Sequence, residues 1–240
     1  MTTMNKQSNL YTIIYIVILV AVVGAALSIT ALSLKPLQTD NANADKMKQI
    51  LASVHIVAEN SDVKSTFNQY IKEQYIINPA GTATPGNAFD INVAQQVKLP
   101  IEKRQMPLYV CELQNGETKY IIPMYGGGLW GPIWGYVSID ANGSTVYGAY
   151  FAHQGETPGL GAEIEKPAFS TQFEGKNFFK DNRFQPISVL KAGTKPYAGE
   201  DYVDAISGGT ITSKGVESMI NNTITGYEKF LESVKSTKQQ

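Results

Sequence analysis

The sequence predicts an α+β domain that follows a single transmembrane helix. Two observations support this fold class. An uncharged apolar run of 25 residues lies near the N-terminus, and the chain after it places several β-like runs between helical patterns. Strands grouped together and flanked by helices are typical of α+β architecture. With 240 residues, the chain is long enough for one or two domains with a sizeable core.

The charge balance and the cysteine count exclude several classes of protein. Lys and Arg number 20 against 21 Asp and Glu, which argues against a strongly basic nucleic-acid binder. The single cysteine, Cys111, excludes a disulfide framework and any iron–sulfur or zinc site built from this chain's own cysteines. The two histidines, His55 and His153, are too few for a His-rich metal site. We therefore predict no nucleic-acid partner and no metal site.

The apolar excess of the chain is concentrated in residues 10–34. Charged residues make up only 17% of the chain, against about 25% in an average soluble domain. At about 1.5 Å per residue, the run spans a hydrocarbon core of roughly 30 Å with some tilt, and Tyr11 and Tyr15 suit the interface. A cleaved signal peptide is the alternative, but its apolar region is only about 7–15 residues long. We predict a retained helix, preceded by residues 1–9 and followed by a linker over 35–44.

The domain itself is predicted over residues 45–240. Helical spacing of apolar residues recurs twice near its start and once at its end. The residues that carry this spacing are Met47, Ile50, Leu51 and Val54, then Val63, Phe67, Ile71 and Tyr75, and finally Val216, Met219, Ile220, Thr223, Tyr227 and Phe230 within 212–234. The β-like runs are 108–113, 119–125, 133–140, 144–151 and 184–190. Asn142-Gly143 predicts a hairpin turn between the third and fourth runs.

Residues 126–131 (GGGLWG) match the G-x-G-x-x-G pattern of dinucleotide-binding sites. That fingerprint requires a helix directly after the glycines. Here Pro132 follows, and then a β-like run. We therefore interpret the segment as a glycine-rich turn between strands, with Trp130 and Trp134 in the core or lining a site.

No catalytic residue is predicted from the remaining side chains. Cys111 lies in a β-like run, where a buried thiol behaving as a small hydrophobe is expected. His55 lies on a helical pattern and is expected at the surface or in packing. His153 is closer to the glycine-rich segment, but a structural role is favoured over a place in a site. The spacing supports no Ser-His-Asp or Cys-His arrangement.

Two further segments combine small, hydroxyl-bearing and turn-forming residues. Residues 156–161 (ETPGLG) have a composition typical of a turn. Residues 204–213 (DAISGGTITS) directly precede the C-terminal helix, where backbone N–H groups and the helix dipole favour a phosphate. On chemistry alone, an ordinary helix N-cap at Thr212 or Ser213 is the simpler explanation.

The second segment resembles the Asp-x-x-(Ser/Thr)-Gly-Ala-Thr acceptor motif of covalently flavinylated FMN-binding domains. In that family a flavin transferase uses FAD to attach FMN, through its phosphate, to the last Thr of the motif, which corresponds to Thr210. The motif departs from the family at Gly209, where Ala is usual; since the acceptor hydroxyl is intact, we expect flavinylation to be retained. Residues 156–161 resemble the E-T-P-G-L-G loop of the same domains, which lies against the flavin.

The resemblance implies FMN as the cofactor, held by a phosphoester to Thr210. The other residues that it implies at the cofactor are Ser207, Gly208, Gly209 and Thr212 around the phosphate, and Glu156, Thr157, Gly159, Leu160 and Trp130 near the ring system.

Two families combine one N-terminal span with an extracytoplasmic FMN domain: the C subunit of the sodium-translocating NADH:quinone oxidoreductase and the G subunit of the Rnf ferredoxin:NAD complex. Residues 128–135 (GLWGPIWG) resemble the G-L-W segment of the first family and are atypical of the second. The first family implies a flavin electron carrier whose partners are the other subunits, a flavin transferase and the membrane. The Rnf-type subunit is the alternative within the redox class, and a membrane-anchored, non-redox binding domain is the alternative outside it.

Two indications of the side of the membrane disagree. Only Lys6 and the α-amino group precede the span, whereas three lysines follow it closely: Lys35, Lys46 and Lys48. A positive-inside count therefore places the domain in the cytoplasm. The resemblance implies the periplasm, because flavin transfer in this class takes place on the outer face of the inner membrane. We expect the periplasmic arrangement, since the acceptor motif must meet its transferase.

Overall fold

The N-terminal apolar run belongs to one 44-residue helix, α1 (Asn9–Ala52), in a computed structural model that describes residues 9–59, 61–180, 183–194, 196 and 199–237. An 18-residue window of α1 has a mean hydropathy of 2.7, and none of it is buried, so the helix is long and apolar enough to cross a membrane. The segment expected as a linker, 35–44, is helical and contains Pro36. The chain divides into two units, Met1–Lys46 and Met47–Gln240. The division into a span over 10–34, a linker over 35–44 and a domain over 45–240 stays a prediction.

The second unit begins with the last turns of α1, where Ile50 and Leu51 are fully buried. Helix α2 (Val63–Tyr70) follows, and strand β1 (Ile71–Ile77) leaves it directly. The helical pattern predicted through Ile71 and Tyr75 is therefore wrong in its second half. The physical reason is strand pairing: IKEQYII is rich in β-branched and aromatic residues and pairs with a later strand, which overrides the helical spacing.

His55 lies outside the helix on which it was expected, in the turn after α1, with a φ of 61°. It is exposed, and its ring packs edge-on against Tyr147 at 5.2 Å between centroids. The expectation of a surface or packing histidine is confirmed, and the expectation of a helical one is wrong.

Six strands form one antiparallel sheet in the order β2-β1-β3-β4-β5-β6. The four β-like runs between 108 and 151 are confirmed as strands β3 to β6, whereas the short strand β2 was not predicted. In the hairpin between β5 and β6, Gly143 has a φ of 70°, as the Asn142-Gly143 turn predicts. The bounds up to β6 are β2 Ala83–Pro85, α3 Val93–Gln96, β3 Met106–Glu112, β4 Thr118–Gly127, β5 Pro132–Asp140 and β6 Val146–His153.

The chain after β6 covers one face of the sheet. The strand predicted over 184–190 is wrong as one element: it is divided between β8 and β9, because Pro186 has no N–H for a ladder and interrupts the run. The C-terminal helix is confirmed as α5, 28 residues long. The bounds are α4 Pro167–Ser170, β7 Phe179–Lys180, β8 Arg183–Phe184, β9 Ser188–Lys191, β10 Tyr202–Ala205 and α5 Thr210–Thr237.

The main core lies between the sheet and α5. Ile122, Val137, Val216 and Ile220 are at most 1% exposed within it. On the opposite face, the end of α1 is held by the indole N–H of Trp134, which donates to Gln49 Oε1 at 2.9 Å. Cys111 is fully buried, and this burial raises the pKa of its thiol to about 11, as expected for an unreactive core cysteine.

Candidate functional site

The glycine-rich turn at residues 126–131 lets α5 pack directly on the end of β4. A Cβ at Gly126 would lie 2.8 Å from Met219 Cβ, and a Cβ at Gly215 would meet the carbonyl oxygen of Gly127. Strand β5 begins at Pro132, so no helix follows the glycines and the rejection of a dinucleotide fingerprint is confirmed. The glycines instead bring the N-terminus of α5 next to the turn.

The acceptor-like segment forms a tight turn into α5. Gly208 has a φ of 74°, and the N–H of Gly209 donates to the carbonyl of Ile206 at 3.0 Å. The hydroxyl of Ser213 donates to the carbonyl of Gly209 at 2.9 Å and accepts from the N–H of Ile206 at 3.0 Å. The fully buried Ser213 thus fixes the turn that places Thr210 as the first residue of the helix.

The predicted N-cap role of Thr212 and Ser213 is wrong, because both residues lie inside α5. Thr212 is only 1% exposed, and its hydroxyl donates to Glu156 Oε2 at 2.6 Å instead of to the helix backbone. By contrast, Thr210 is exposed. The hydroxyls at 210 and 212 therefore differ sharply in their access to solvent.

Glu156 is a buried carboxylate, 4% exposed, that joins two walls of the site. Its Oε2 accepts from Thr212, and its Oε1 accepts from the backbone N–H of Trp130 at 2.8 Å. Burial raises the pKa of the Glu156 carboxyl, but hydrogen bonds from Thr212, Trp130 and Gly131, together with the electrostatic effect of His153, outweigh it, and the pKa lies below its ordinary value. The side chain is therefore ionised at neutral pH. We call Glu156, Thr212 and the Trp130 backbone N–H the polar wall.

His153 supports the polar wall from behind. The backbone N–H of Glu156 donates to His153 Nδ1 at 3.1 Å, so the proton of a neutral ring is on Nε2. That atom lies 3.7 Å from Glu165 Oε1, which also accepts from the backbone N–H of His153 at 3.2 Å. His153 makes structural contacts here and is not among the residues that line the cavity described next.

A cavity of about 450 Å³ lies between the polar wall, the 156–161 loop and the start of α5. This volume is within the range of about 300–1,000 Å³ that is usual for small-molecule sites. The lining residues are Leu129, Trp130, Glu156, Thr157, Leu160, Gly161, Gly208, Gly209, Thr210, Ile211 and Thr212.

The structure brings together most of the predicted site residues, but Gly159 and Ser207 are not among those that line the cavity. It adds Leu129, Gly161 and Ile211, which sequence reasoning missed. Each of the three lies within or beside a motif already recognised, and that neighbourhood was the signal that could have found them. The cofactor roles of the predicted residues stay predictions.

The rim of the cavity is apolar and exposed. Trp130 is 70% exposed and Ile211 is 61% exposed, and Leu129 and Leu160 exceed 40%. Exposed apolar groups of this size, gathered around a cavity, mark an interaction site. We call these four side chains the apolar rim.

Close contacts at glycines set the shape of the cavity. A Cβ at Gly208 would lie 2.6 Å from Leu160 Cδ2, and a Cβ at Gly161 would lie 2.5 Å from Glu156 Oε2. A Cβ at Gly209 would lie 3.0 Å from the Leu160 carbonyl oxygen. The 156–161 loop therefore packs directly on the start of α5, and larger residues at 208 or 161 would force them apart.

A larger depression, of about 570 Å³, lies on the open sheet and is lined by residues such as Lys72, Tyr75 and Tyr120. The described residues that line it include neither a predicted site residue nor a buried polar side chain. We assign the site to the smaller cavity because buried polar groups, glycines and hydroxyls converge there.

The chain is similar to known proteins in sequence and in fold. A family model described as FMN-binding domain matches residues 128–225. The C subunit of the Na(+)-translocating NADH-quinone reductase of Vibrio vulnificus YJ016 is 33% identical over 226 residues, which cover 87% of this chain and 88% of the relative. Its counterpart from Vibrio anguillarum is 32% identical over 249 residues, with 96% and 97% covered. The solved structure of the C subunit from Parabacteroides distasonis is 46% identical, with a TM-score of 0.77 and coverage of 82% of this chain and 96% of that chain.

These relatives confirm the α+β fold class and the choice of the C subunit over the Rnf-type subunit. The covalent bond to Thr210, the flavin transferase and the side of the membrane stay predictions. With relatives above 30% identity over nearly the whole of both chains, this chain belongs to the family of C subunits of the Na⁺-translocating NADH-quinone reductases.

Proposed function

We propose that this chain is the FMN-carrying subunit of a Na⁺-translocating NADH-quinone reductase and that it relays electrons within that complex. The observation that carries the proposal is the cavity, in which the two flavin-associated motifs meet around the exposed Thr210. Bound FMN supplies the redox chemistry, and the protein positions it and tunes its potential.

The residues of the cavity fit FMN. The apolar faces of its flat aromatic ring system match the apolar rim, where Trp130 and Leu160 offer uncovered side chains. Its phosphate matches the N-terminus of α5, where the dipole of a 28-residue helix favours an anion by about 0.3–1 kcal/mol. Gly208 and Gly209 let the 156–161 loop pack against this end of α5, because a Cβ at either would crowd Leu160.

Accessibility supports Thr210 as the attachment residue. Thr212 and Ser213 are buried, and their hydroxyls already donate to Glu156 and to Gly209. Ser207 is exposed but does not line the cavity. Thr210 is exposed, lines the cavity and completes the acceptor motif.

The attachment reaction uses FAD as the flavin donor. The Thr210 oxygen forms a bond to the phosphorus of the FMN half, the pyrophosphate bond of FAD breaks, and AMP and a proton leave. A flavin transferase would catalyse this step. Gly209, where the family usually has Ala, leaves the acceptor hydroxyl unchanged, and the absent methyl would otherwise lie 3.0 Å from the Leu160 carbonyl.

We further propose that α1 anchors the chain in the inner membrane as a single span, with the domain in the periplasm. The apolar length of α1 supports the anchor. The acceptor motif supports the periplasmic side, because its transferase acts there in the resembling families. The anchor would hold the flavin within electron-transfer reach of the other subunits.

Flavin fluorescence on a denaturing gel tests the proposal. The full chain is produced with a flavin transferase, alone and as Thr210→Ala and Thr212→Ala. A phosphoester survives denaturation, so the wild type and Thr212→Ala bands should fluoresce and the Thr210→Ala band should be dark. A dark wild-type band with an active transferase would contradict the proposed function, and a fluorescent Thr210→Ala band would contradict the attachment residue.

A further inference from the structure

The Glu156 carboxylate makes contacts that hold separate segments of the site together. One oxygen accepts from the Trp130 backbone in the β4–β5 turn at 2.8 Å, and the other accepts from Thr212 in α5 at 2.6 Å. Glu156 itself belongs to the loop after β6. One side chain therefore links the three segments that enclose the cavity.

The backbone around Glu156 is shaped to admit this carboxylate. A Cβ at Gly128 would lie 2.5 Å from Glu156 Oε1, and a Cβ at Gly161 would lie 2.5 Å from Oε2. Two glycines on opposite sides thus leave room for the two oxygens. The fit leaves little freedom for the side chain to move, so the segments that it joins are fixed relative to one another.

The titratable group that acts on this charge is His153, whose electrostatic effect lowers the pKa of the Glu156 carboxyl. The salt bridges of Lys119 and Lys214 are made with other carboxylates, those of Glu117, Asp140 and Glu217. The carboxylate is stabilised instead by the Thr212 hydroxyl, the Trp130 N–H and the positive end of the α5 dipole. A full negative charge therefore remains in the wall of an apolar cavity, where screening by water is weak.

We infer that Glu156 is the positioning residue of this cavity and that its charge lowers the reduction potential of the flavin held there. The inference rests on the proposed function. The geometric part follows from the three joined segments, because loss of the carboxylate releases the Trp130 backbone from α5. The electrostatic part follows from the buried negative charge, because reduction adds negative charge to the flavin and a nearby anion opposes it.

Three variants of the full chain separate the two parts. Glu156→Gln removes the charge and keeps a carbonyl oxygen for Trp130 and an amide that can pair with Thr212. Glu156→Ala removes both. Glu163→Gln is the matched control: it removes a carboxylate from the same region, where Glu163 Oε1 accepts from the Gly159 N–H at 3.1 Å and the side chain does not line the cavity.

The first readout is amide hydrogen exchange in the flavin-free chain. Exchange at Trp130 should be about tenfold faster in Glu156→Ala, since the oxygen that accepts its hydrogen bond is lost. It should be close to the wild-type rate in Glu156→Gln and Glu163→Gln. An unchanged rate in Glu156→Ala would overturn the positioning role. This measurement needs no flavin, so its outcome is independent of the proposed function.

The second readout is the midpoint potential of the flavin-loaded chain. Glu156→Gln should shift the potential to a more positive value than that of both the wild type and Glu163→Gln. A purely structural role for Glu156 would leave the potential of this conservative variant unchanged, and that result would overturn the electrostatic part. A wild-type chain that takes up no flavin would instead contradict the proposed function itself.

Discussion

The polar wall and the apolar rim face the same cavity but are built in opposite ways. In the wall, Glu156 and Thr212 are buried, and each is already satisfied by a partner within the domain. In the rim, Trp130 and Ile211 are more than 60% exposed. The wall therefore sets the geometry of the site, whereas the rim offers contacts to a ligand. Changes in the wall should affect folding as well as the flavin, and changes in the rim should affect mainly the flavin.

The largest effect on stability is expected from Thr212→Val, because it removes a hydrogen bond to a buried carboxylate. Leaving that charge with one partner fewer should lower the free energy of unfolding by about 3 kcal/mol. Thr210→Val, at an exposed position two residues away, should change it by less than about 0.5 kcal/mol. Denaturant titration of both variants checks this. Equal losses at the two positions would mean that the hydrogen bond from Thr212 to Glu156 does not stabilise the fold.

A somewhat smaller loss is expected from Gly161→Ala. The new methyl group would meet Glu156 Oε2 at 2.5 Å, and overpacking of this kind costs about 1–3 kcal/mol. Gly155→Ala is the matched control in the same loop, because a Cβ there has no neighbour within 4 Å. Thermal unfolding should show a lower Tm for Gly161→Ala alone. If the Tm of Gly161→Ala equals that of the wild type, the polar wall is not tightly packed.

A substitution in the apolar rim should alter the absorption spectrum or potential of the flavin and leave the fold unchanged. Leu160→Asp puts a charge at a side chain that is 42% exposed, so the free energy of unfolding should change by less than about 0.5 kcal/mol. The flavin should stay attached, but its absorption spectrum or potential should shift. An unchanged spectrum and potential would remove the 156–161 loop from the flavin site.

The smallest effect is a pH dependence of stability contributed by the wall. The pKa of Glu156 is lower in the folded chain than in the unfolded chain, so its contribution is fully present above the unfolded value of about 4.3. It is lost as the pH falls through the folded pKa. The stability difference between the wild type and Glu156→Gln should therefore shrink from pH 7 to about pH 3. A difference that is constant or grows on acidification would contradict the lowered pKa.

Sequence reasoning located the strands of the central sheet well, because their apolar runs are bounded by clear turn residues such as Asn142-Gly143. It failed at Ile71 and Tyr75, where helical spacing continued but pairing with β3 imposed a strand. It also failed at Pro186, which divides one apolar run into two elements. These outcomes depend on contacts between distant segments, which local periodicity does not contain.

The sequence motifs contain most of the residues that line the cavity, but they do not reveal which of these residues contact one another. Nothing in the sequence pairs Glu156 with Thr212, which are separated by 56 positions. The hydroxyls of Thr210 and Thr212 likewise look equivalent in the sequence. Only the start of α5 at Thr210, fixed by Ser213, makes one exposed and the other buried.

Mass spectrometry of proteolytic peptides tests directly whether FMN is attached to Thr210. The wild-type chain, produced with a flavin transferase, is digested, and the position of the FMN phosphoryl group is read from the fragments that contain residues 204–214. Because Thr210 is exposed whereas Thr212 and Ser213 are buried, we expect the modification on Thr210 alone. Modification of Thr212 or Ser213, or an unmodified peptide from a chain that still carries flavin, would contradict it.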